Sequence, residues 1–474
     1  MNRILEYIEK HVKDSPDKVC YKDNERIITY EDLWQKAEYY ADFLRRQGTS
    51  PVLVYGHKSP KVIIAILSCM MARRAYVPID VFVPEKRINK IAKITGSTLL
   101  LEAENMKIED IECLHLSQLE GYAEFDVKEN SNTTAYIIFT SGSTGKPKGV
   151  PISADNLLNF IDWISSFFPL DTYKDAVVLN QASFSFDLSV ADLFYSLCNG
   201  HTLVASEVSV QDGCDGVYEL MREESVNVAV VTPTFMKMCL LDSTFNAENY
   251  PSFKCVYFCG ELLEIPTVKK LFRRFPDIKV INAYGPTEAT SAVSGIIIEK
   301  EMLENELLPV GDVQCFATDI EIIDGEIVIK GKSVFGGYLG DVVGGWYCEN
   351  GENCYKTGDN GYIQDGKLYC KGRLDRQIKY KGYRIELDEI EYAIDNFCGV
   401  TNSAVIAKYT PAGTVKGIFA YVTLSQKKPL TEQDIKEELK KHIPPYMMPT
   451  KLTVLEELPM NSNEKIDRKA LEQW

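Results

Sequence analysis

Tyr136-Ile-Ile-Phe-Thr-Ser-Gly-Ser-Thr-Gly-Lys-Pro-Lys-Gly-Val150 is the stretch from which the fold of this chain is most readily predicted. It opens with apolar residues that include β-branched ones, which predicts a buried strand. Six residues that are Thr, Ser or Gly then follow in a row. Glycine lets backbone N–H groups turn toward an anion, and hydroxyl groups add further donors. Because Lys146 and Lys148 add positive charge, we predict a loop that binds a triphosphate.

This loop differs from the Walker loop. The Gly-x-x-x-x-Gly-Lys-Ser/Thr spacing is absent, and no helix-forming run follows directly. A solvated loop between a strand and a helix is the alternative interpretation. The run is rich in donors and contains no acidic residue, which favours the anion-binding interpretation.

Composition limits the possible functions. The chain has 474 residues, enough for two or three domains, and a formal net charge of -16 disfavours nucleic acid as a partner. The apolar run Val62–Met71 is too short to span a bilayer, so no membrane insertion is expected. The N-terminal residues 1–14 predict an amphipathic helix and not a signal peptide. The 13 cysteines are scattered, without zinc spacing, which indicates a reducing, cytoplasmic compartment.

The order of predicted elements indicates an α/β fold. Between Pro51 and Ala292, short β runs alternate with amphipathic helices, which implies parallel and mixed sheets with helices on their faces. In such sheets, ligands bind at the carboxyl ends of the strands. After Pro309, two hairpins with the turns Asp324-Gly325 and Asp365-Gly366 predict a small β subdomain.

A different pattern begins near Arg376 and predicts a small, compact α+β domain. A helix is expected over Leu387–Phe397, and Thr431 with Asp434 forms a capping-box start to another helix. The domain boundary is placed at Gly372–Asp375, the end of the second hairpin. The predicted domains are therefore residues 1–374 and residues 375–474.

The segment Ser183-Phe184-Ser185-Phe186-Asp187-Leu188-Ser189 follows a predicted strand and begins a helix. Asp187 has two interpretations that stay open at this point. It could cap the helix, a common role for Asp there. Alternatively, its flanking phenylalanines indicate an enclosed site, where a carboxylate would need a cation such as a substrate ammonium group.

The segment Asn282-Ala283-Tyr284-Gly285-Pro286-Thr287-Glu288 follows the predicted strand Lys279–Ile281. Asn can hydrogen-bond to the edge of a base, Tyr can stack on its face, and Glu288 could hold Mg²⁺ together with phosphate oxygens. A simple Gly-Pro turn is the alternative.

Two further candidates give weaker signals. Tyr355-Lys356-Thr357-Gly358-Asp359 ends in a carboxylate that could accept two ribose hydroxyl groups, although turns often produce this pattern. Lys465, near the end of the chain, has the pattern of a solvated surface lysine.

Taken together, the motifs resemble the adenylate-forming superfamily of acyl-CoA synthetases, luciferases and amino-acid adenylation domains. The matching stretches keep the family order and cover nearly the whole chain: Phe139–Gly149, Asn282–Glu288, Tyr355–Asp359, Gly372–Glu391 and Asn463–Lys469. Phe184–Asp187 resembles the amino-acid-activating branch. The closer resemblance is to the ligases that charge a carrier protein with D-alanine for teichoic acid modification. The stretches that carry it are Ser183–Val190, Phe258–Glu261, Asn282–Thr290 and Tyr446–Pro449.

The resemblance implies a site that binds ATP, Mg²⁺ and a small amino acid. It implies catalytic roles for Lys465, Glu288 and Thr140, with Glu288 also binding the metal. It implies nucleotide contacts from Thr140, Ser141, Gly142, Ser143, Thr144, Lys148, Asn282, Ala283, Tyr284, Gly285, Pro286, Thr287, Asp359, Arg373 and Lys465. It implies substrate contacts from Asp187, Leu188, Cys259, Ala283, Ser291 and Lys465. It also implies a hinge at Asp375, which would make the small C-terminal domain mobile. Glu464 departs from the family pattern, where a glycine is usual before the lysine.

The implied reaction has two steps. The amino acid carboxylate attacks the α-phosphorus of ATP, and the aminoacyl group then passes to the phosphopantetheine thiol of a separate carrier protein. Three alternatives are kept: a free-standing adenylation domain of nonribosomal peptide synthesis for another amino acid, an acyl-CoA synthetase, and an inactive nucleotide-binding regulator. The first alternative stays open because of the expected lining of the substrate pocket. Tyr257 and Cys259 could cap a small cavity, but small residues elsewhere in the lining could leave room. The expected lining is Leu188, Ala191, Val230, Tyr257, Cys259, Ala283, Ser291 and Ala292.

Overall fold

The computed structural model describes residues 2–102, 108, 111–115, 133–142, 147–167, 175–206, 215–315, 317–340, 344–410, 413–425, 430–461 and 466–474. Within these residues the helices are α1 Asn2–Asp14, α2 Tyr30–Arg46, α3 Pro60–Met71, α4 Glu85–Thr95, α5 Ala154–Ser165, α6 Leu188–Asn199, α7 Asp215–Glu223, α8 Pro233–Cys239, α9 Ile265–Arg274, α10 Leu387–Asp395, α11 Glu432–Leu439 and α12 Arg468–Glu472.

The strands, in chain order, are β1 Val19–Lys22, β2 Ile27–Thr29, β3 Val52–Tyr55, β4 Tyr76–Ile79, β5 Leu99–Glu102, β6 Glu112–His115, β7 Thr134–Thr140, β8 Lys148–Ser153, β9 Val177–Asn180, β10 Thr202–Ala205, β11 Val228–Val231, β12 Cys255–Phe258, β13 Lys279–Tyr284, β14 Ser294–Ile297, β15 Gly311–Asp312, β16 Asp319–Ile323, β17 Glu326–Lys330, β18 Trp346–Glu349, β19 Glu352–Gln364, β20 Lys367–Arg373, β21 Gln377–Tyr380, β22 Tyr383–Glu386, β23 Val400–Tyr409, β24 Val415–Leu424 and β25 Lys451–Leu455.

Two large sheets form most of the first part of the chain. One has eight strands in the order β14-β13-β12-β11-β9-β10-β1-β2, and the other has six in the order β6-β5-β3-β4-β7-β8. The central pairs are parallel, whereas β13–β14 and β1–β2 are antiparallel. These mixed sheets confirm the predicted α/β class, because parallel neighbours require helical crossovers between them.

The predicted β subdomain is the third sheet, in the order β15-β20-β19-β17-β16 with β18 paired to β19. Its two predicted turns have positive φ at both central residues: Asp324 at 52° and Gly325 at 83°, Asp365 at 51° and Gly366 at 72°. Such turns match the twist of a hairpin. The first arm of the second hairpin, predicted over Tyr362–Gln364, extends over Glu352–Gln364 in the structure.

One other predicted boundary was wrong, and both differences matter for the site. The strand expected over Lys279–Ile281 continues to Tyr284, so Asn282 and Ala283 lie in the strand and do not follow it. Likewise, Tyr355–Asp359 lies inside β19, where Gly358 has a φ of 72°. Both segments are polar or contain glycine, and tertiary pairing overrides these weak local preferences.

Helix α6, which carries the segment after Asp187, is buried along its length. It ends at Gly200, whose φ of 72° allows the left-handed terminus that glycine favours. Its apolar residues belong to one hydrophobic core with those of α1, α2, α3 and α5. A buried helix of this kind fixes the position of the residues at its N-terminus.

The contacts divide the chain into two compact units. The first comprises residues 1–81, 94–138 and 149–372, and the second comprises residues 82–93, 139–148 and 373–474. The second unit contains the hairpin β21–β22, the sheet β23-β24-β25 and its own apolar core. The helix start at Thr431 has the predicted capping box with Asp434. The division at residues 374 and 375 stays a prediction, and the grouping of 82–93 and 139–148 was not foreseen.

No helix among the described residues is long and apolar enough to cross a membrane. Cys20, Cys69 and Cys198 are buried free thiols, as expected for small apolar residues of a core.

The first unit also contains a buried histidine that makes stability depend on pH. His201 is buried, and neither ring nitrogen has a hydrogen-bond partner among the described residues. Burial, aided by the positive charge of Lys18, lowers the pKa of His201 to about 4. The unfolded chain therefore takes up this proton at higher pH than the folded chain, and the stability contributed by the neutral ring is lost as the pH falls from about 6.5 to about 4.

We predict that His201→Asn weakens this pH dependence. Urea unfolding of the wild type should lose about 3 kcal/mol more than the variant between pH 7 and pH 4, because one pKa unit corresponds to about 1.4 kcal/mol. His115→Gln, at a partly exposed histidine, is the control and should follow the wild type. Identical slopes for the wild type and His201→Asn would contradict the assignment.

Candidate active site

Asp187 stands directly before helix α6, but its side chain does not cap that helix. Its backbone is already helical, with φ of −64° and ψ of −23°, and it makes no capping hydrogen bond within the described helix. Its carboxylate Oδ2 instead accepts a hydrogen bond from the hydroxyl Oγ1 of Thr287 at 2.6 Å. Of the two interpretations of Asp187, the capping role is therefore wrong. The partly buried carboxylate is directed toward the Asn282–Glu288 segment.

A strained turn lies three residues beyond Thr287. Thr290 and Ser291 both have left-handed backbones, with φ of 62° and 70°, a conformation that non-glycine residues adopt only when their surroundings hold them. Thr290 Oγ1 donates to the carbonyl of Ser333 at 2.9 Å, and the N–H of Ala292 donates to the carbonyl of Thr290 at 2.9 Å. The carbonyl of Ser291 accepts a hydrogen bond from the thiol of Cys259 at 3.8 Å. The turn therefore fixes the direction of a backbone carbonyl.

The residues predicted to line the pocket are buried. They are Leu188, Ala191, Val230, Tyr257, Cys259, Ala283, Ser291 and Ala292. Burial raises the pKa of Tyr257 far above its usual value, and the nearby Cys259 and Asp187 add to this. Tyr257 is therefore neutral at physiological pH. The hydroxyl of Ser291 is buried without a hydrogen-bond partner among the described residues.

The Asn282–Glu288 segment is joined to Asp359 by a buried hydrogen bond. Tyr284 donates its hydroxyl to Asp359 Oδ2 at 2.7 Å, and burial followed by the Asp359 charge raises the pKa of Tyr284 far above its usual value. Asn282 donates its amide Nδ2 to the carbonyl of Pro309 at 2.8 Å. The structure thus brings together two motifs that are 75 residues apart in the chain. It also shows that Asn282 already uses one amide hydrogen within the protein.

Glu288 lies in a short 3₁₀ helix, Thr287–Ala289, and is fully buried. Its Oε1 accepts a hydrogen bond from the hydroxyl of Tyr338 at 2.6 Å, and that hydroxyl lies 3.2 Å from the hydroxyl of Tyr355. The described residues contain no group of three or more His, Cys, Asp or Glu that could hold a metal ion. A single carboxylate still fits Mg²⁺, which often takes one or two carboxylates and completes its shell with phosphate oxygens and water.

The predicted triphosphate loop belongs to the second unit. Thr140 ends β7, and its buried Oγ1 has no hydrogen-bond partner among the described residues. Ser141 donates its hydroxyl to the carbonyl of Arg384 at 3.0 Å and accepts from the N–H of Glu386 at 2.9 Å. The N–H of Gly142 donates to Glu389 Oε2 at 3.1 Å.

Charges within the same unit are paired around this loop. Lys148 Nζ lies 3.8 Å from Glu386 Oε1; burial raises the pKa of Glu386, and the Lys148 charge opposes that rise. The guanidinium of Arg87 pairs with Glu389, and both side chains are buried. Glu389 therefore contacts both a cation and a loop N–H, as a phosphate oxygen could.

Arg373 and Asp375 form a pair with two contacts. Arg373 Nε and Nη2 donate to Asp375 Oδ1 and Oδ2 at 2.9 and 2.5 Å, and Asp375 Oδ1 also accepts from the N–H of Gln377 at 3.1 Å. Burial would raise the pKa of Asp375, but the hydrogen bond and charge of Arg373 hold it below its usual value. Lys465, Ser143 and Thr144 lie outside the described residues.

Several contacts at the site have no signature in the sequence. Tyr338, Arg87 and Glu389 were not singled out, because each acts through a partner at least 50 residues away. The Gly336-Gly337 pair before Tyr338 was the nearest available signal, and it indicates only a turn.

The comparisons with known proteins agree with this architecture. The AMP-binding enzyme family matches residues 8–339, and the family of AMP-binding enzyme C-terminal domains matches residues 389–465. The chain belongs to the family of AMP-binding enzymes. The predicted superfamily and the predicted class of enzyme are therefore confirmed.

Within this family, the chain is similar from end to end to D-alanine–D-alanyl carrier protein ligases. It is 38% identical over 501 residues to that of Bacillus licheniformis, covering 99% of each chain. It is 39% identical over 507 residues to that of Listeria welshimeri, covering 99% of this chain and 98% of the relative.

Solved structures share the fold. The Vibrio cholerae adenylation domain AlmE, in complex with glycyl-adenosine-5'-phosphate, superposes with a TM-score of 0.84 at 22% identity, over 99% of this chain and 97% of that one. PA1221, a nonribosomal peptide synthetase protein containing adenylation and carrier domains, also gives 0.84 at 22% identity, over 99% and 83%.

We predict that Gly285→Ala destabilises the fold at this site. A Cβ on Gly285 would lie 2.5 Å from Cα of Ala292 and 2.9 Å from N of Val293, so the backbone after the strained turn would have to move. Overpacking of this kind costs about 1–3 kcal/mol. Thermal and urea unfolding would measure the loss. Gly336→Ala is the control, because a Cβ there meets nothing within 4 Å. Equal stability of the two variants would refute the prediction.

Proposed function

We propose that this enzyme activates D-alanine with ATP as an aminoacyl-adenylate, releases pyrophosphate, and then transfers the aminoacyl group to the phosphopantetheine thiol of a separate carrier protein. The observation that carries the proposal is the hydrogen bond between Asp187 and Thr287, which directs a carboxylate away from its helix and toward the Asn282–Glu288 segment. Similarity over the whole chain to ligases named for D-alanine and its carrier protein supports the choice of substrate.

The amino group is proposed to bind between Asp187 and the carbonyl of Ser291. Both offer negative charge or a lone pair in a partly or fully buried setting, and a cation there compensates the cost of burying the carboxylate. Cys259, Leu188 and Ala283 would limit the space for the side chain. The thiol of Cys259 already contacts the Ser291 carbonyl. A substrate side chain larger than a methyl group would therefore compete with this thiol for space.

The nucleotide contacts are proposed for the ribose, the base and the phosphates in turn. Asp359 would accept ribose hydroxyl groups, although its Oδ2 already accepts from Tyr284, and Asn282 and Tyr284 would border the base. The predicted triphosphate loop and the basic residues are proposed to contact the phosphates. The buried Oγ1 of Thr140 is a donor available for such a contact. The proposed nucleotide contacts are Thr140, Ser141, Gly142, Ser143, Thr144, Lys148, Asn282, Ala283, Tyr284, Gly285, Pro286, Thr287, Asp359, Arg373 and Lys465.

Glu288 is the residue proposed to hold Mg²⁺. When bound, the ion would offset phosphate charge. Tyr338 orients this carboxylate through its hydroxyl.

In the first proposed step, an oxygen of the amino acid carboxylate attacks the α-phosphorus, the bond to the bridging oxygen breaks, and pyrophosphate leaves. Positioning and charge neutralisation, with Lys465 as a cation, would supply the acceleration. In the second step, the carrier thiol attacks the carbonyl, loses its proton, and AMP leaves. The work is proposed to take place in the cytoplasm, where ATP and reduced thiols are available.

The alternative functions differ in which acid, if any, the protein would activate with ATP. A free-standing adenylation domain for another amino acid, an acyl-CoA synthetase and an inactive regulator are separated by ATP–pyrophosphate exchange with D- and L-alanine, glycine, serine, larger amino acids and fatty acids. We expect exchange with D-alanine above all others. Preference for a fatty acid, or no exchange with any acid, would overturn the proposal.

We predict that Asp187→Asn removes the discrimination in favour of the amine. Hydrogen bonds to charged groups contribute about 1.5–3 kcal/mol, so KM for D-alanine should rise about 10- to 100-fold while KM for ATP stays within about twofold. Steady-state pyrophosphate exchange measures both. Ser68→Ala, which removes a buried hydroxyl bonded within α3, is the control. An unchanged KM for D-alanine in Asp187→Asn would contradict the amine role.

We predict that two variants separate the two half-reactions. Lys465→Ala should abolish adenylation, because the cation between carboxylate and phosphate is lost. Asp375→Pro should leave pyrophosphate exchange near the wild-type rate and block thioester formation, because a proline restricts the backbone change that a hinge absorbs. Exchange and loading of a carrier protein are measured on the same preparations. Equal loss of both activities in Asp375→Pro would exclude the hinge.

A further inference from the structure

The segment that leads to Asp187 is held in place by side chains from a distant part of the first unit. We propose that His57, Asp80 and Ser183, called here the anchor triad, position Asp187 for the substrate amine. This inference rests on the proposed function, and it assigns positioning residues to the amine-binding half of that site.

Asp80 is the centre of the anchor triad. It follows β4 and is only 1% exposed. Its Oδ2 accepts a hydrogen bond from the hydroxyl of Ser183, and its two oxygens lie 3.1 and 2.9 Å from Nδ1 of His57. Ser183 Oγ also lies 3.0 Å from Ser185 Oγ and accepts from the N–H of Ser185 at 3.3 Å. A buried carboxylate with these partners is costly to leave unpaired.

A second set of contacts fixes the residues just before Ser183. Lys58, the neighbour of His57, is buried and donates to the carbonyls of Gln181, at 2.9 Å, and Ser206. Asn180 donates its Nδ2 to the carbonyl of Ala182 at 3.1 Å and to Asp192 Oδ2 at 3.0 Å. Three successive residues, 181 to 183, are thereby held by side chains.

This anchoring matters because residues 181–187 form turns and no strand or helix. Their backbone has no ladder of hydrogen bonds, so side chains must supply its rigidity. The triad holds this segment four residues before Asp187, and helix α6 holds it from the other side. A displacement of about 1 Å at such a point can cost about 10²-fold in rate.

The arrangement is not that of a hydrolytic serine site. In such a site histidine lies between the serine and the acid, so that it can take the serine proton. Here the acid lies in the middle, and Ser183 donates to Asp80 instead of to His57. Ser183 is therefore bound as a structural donor, which agrees with a positioning role.

The test is a comparison of Ser183→Ala with Ser183→Thr, which keeps the hydroxyl, and with Ser68→Ala as a control for loss of a buried hydroxyl. In pyrophosphate exchange, Ser183→Ala should raise KM for D-alanine about tenfold, the order of one lost hydrogen bond to a charged group. KM for ATP should stay within about twofold, Ser183→Thr should recover most of the loss, and the melting temperature should fall no further than in Ser68→Ala. His57→Asn, at a partly exposed position, should give the same selective rise.

A double-mutant cycle provides the decisive readout. In the Asp187→Asn background, Ser183→Ala should change KM for D-alanine by less than about twofold. The reason is that the position of residue 187 no longer matters once its carboxylate charge has been removed. Equal losses in both backgrounds, or equal rises in KM for ATP, would show a merely structural role and overturn the inference. If the wild type is active and Ser183→Ala leaves KM for D-alanine unchanged, the result contradicts the inference and leaves the proposed function intact. A wild type without amino-acid-dependent exchange would sink the proposed function as well.

Discussion

The hydrogen bond from Thr287 to Asp187 is the interaction on which this account depends. An aspartate before a helix ordinarily binds the first N–H groups of that helix. Here the backbone of Asp187 is itself helical, so the carboxylate is directed elsewhere. As a result, the start of helix α6 and the Asn282–Glu288 segment meet at one point, although 100 residues separate them.

The polar groups around this point are costly to bury, and the fold compensates several of them with specific partners. The left-handed turn at Thr290 and Ser291 is held by Ser333 and by the close packing of Gly285 on Ala292. The carboxylate of Glu288 is satisfied by Tyr338. The supporting residues need not contact a ligand themselves. Their role is to keep carbonyls and carboxylates in directions that a ligand can use.

Local patterns in the sequence predicted much of the fold. The alternation of strands and helices, the Asp-Gly turns and the capping residue Thr431 depend on near neighbours, and all are found as expected. The extension of β13 through Tyr284 and the placement of Asp359 inside β19 were not predicted. Both follow from pairing with a neighbouring strand that lies outside the segment itself, which a local pattern does not encode.

The residues of the candidate site also fall into those that the sequence predicted and those that it did not. Asp187, Glu288 and Asp359 were singled out because charged residues within a few positions of glycine or aromatic residues are conspicuous. Tyr338 and Asp80, in contrast, act through long-range partners and look ordinary in the sequence. The roles of Thr140, Lys148 and Arg373 toward a nucleotide stay predictions. Ser141 and Gly142 bind residues 384–389 within the second unit, contacts that only the folded chain displays.

A crystal structure with a non-hydrolysable D-alanyl-adenylate analogue would test the central claim most directly. The account predicts that the ammonium nitrogen of the analogue lies about 2.7–2.9 Å from a carboxylate oxygen of Asp187, the distance of a charge-assisted hydrogen bond, while Thr287 retains its own bond to that carboxylate. An ammonium group bound elsewhere, without contact to the carboxylate of Asp187, would contradict this prediction.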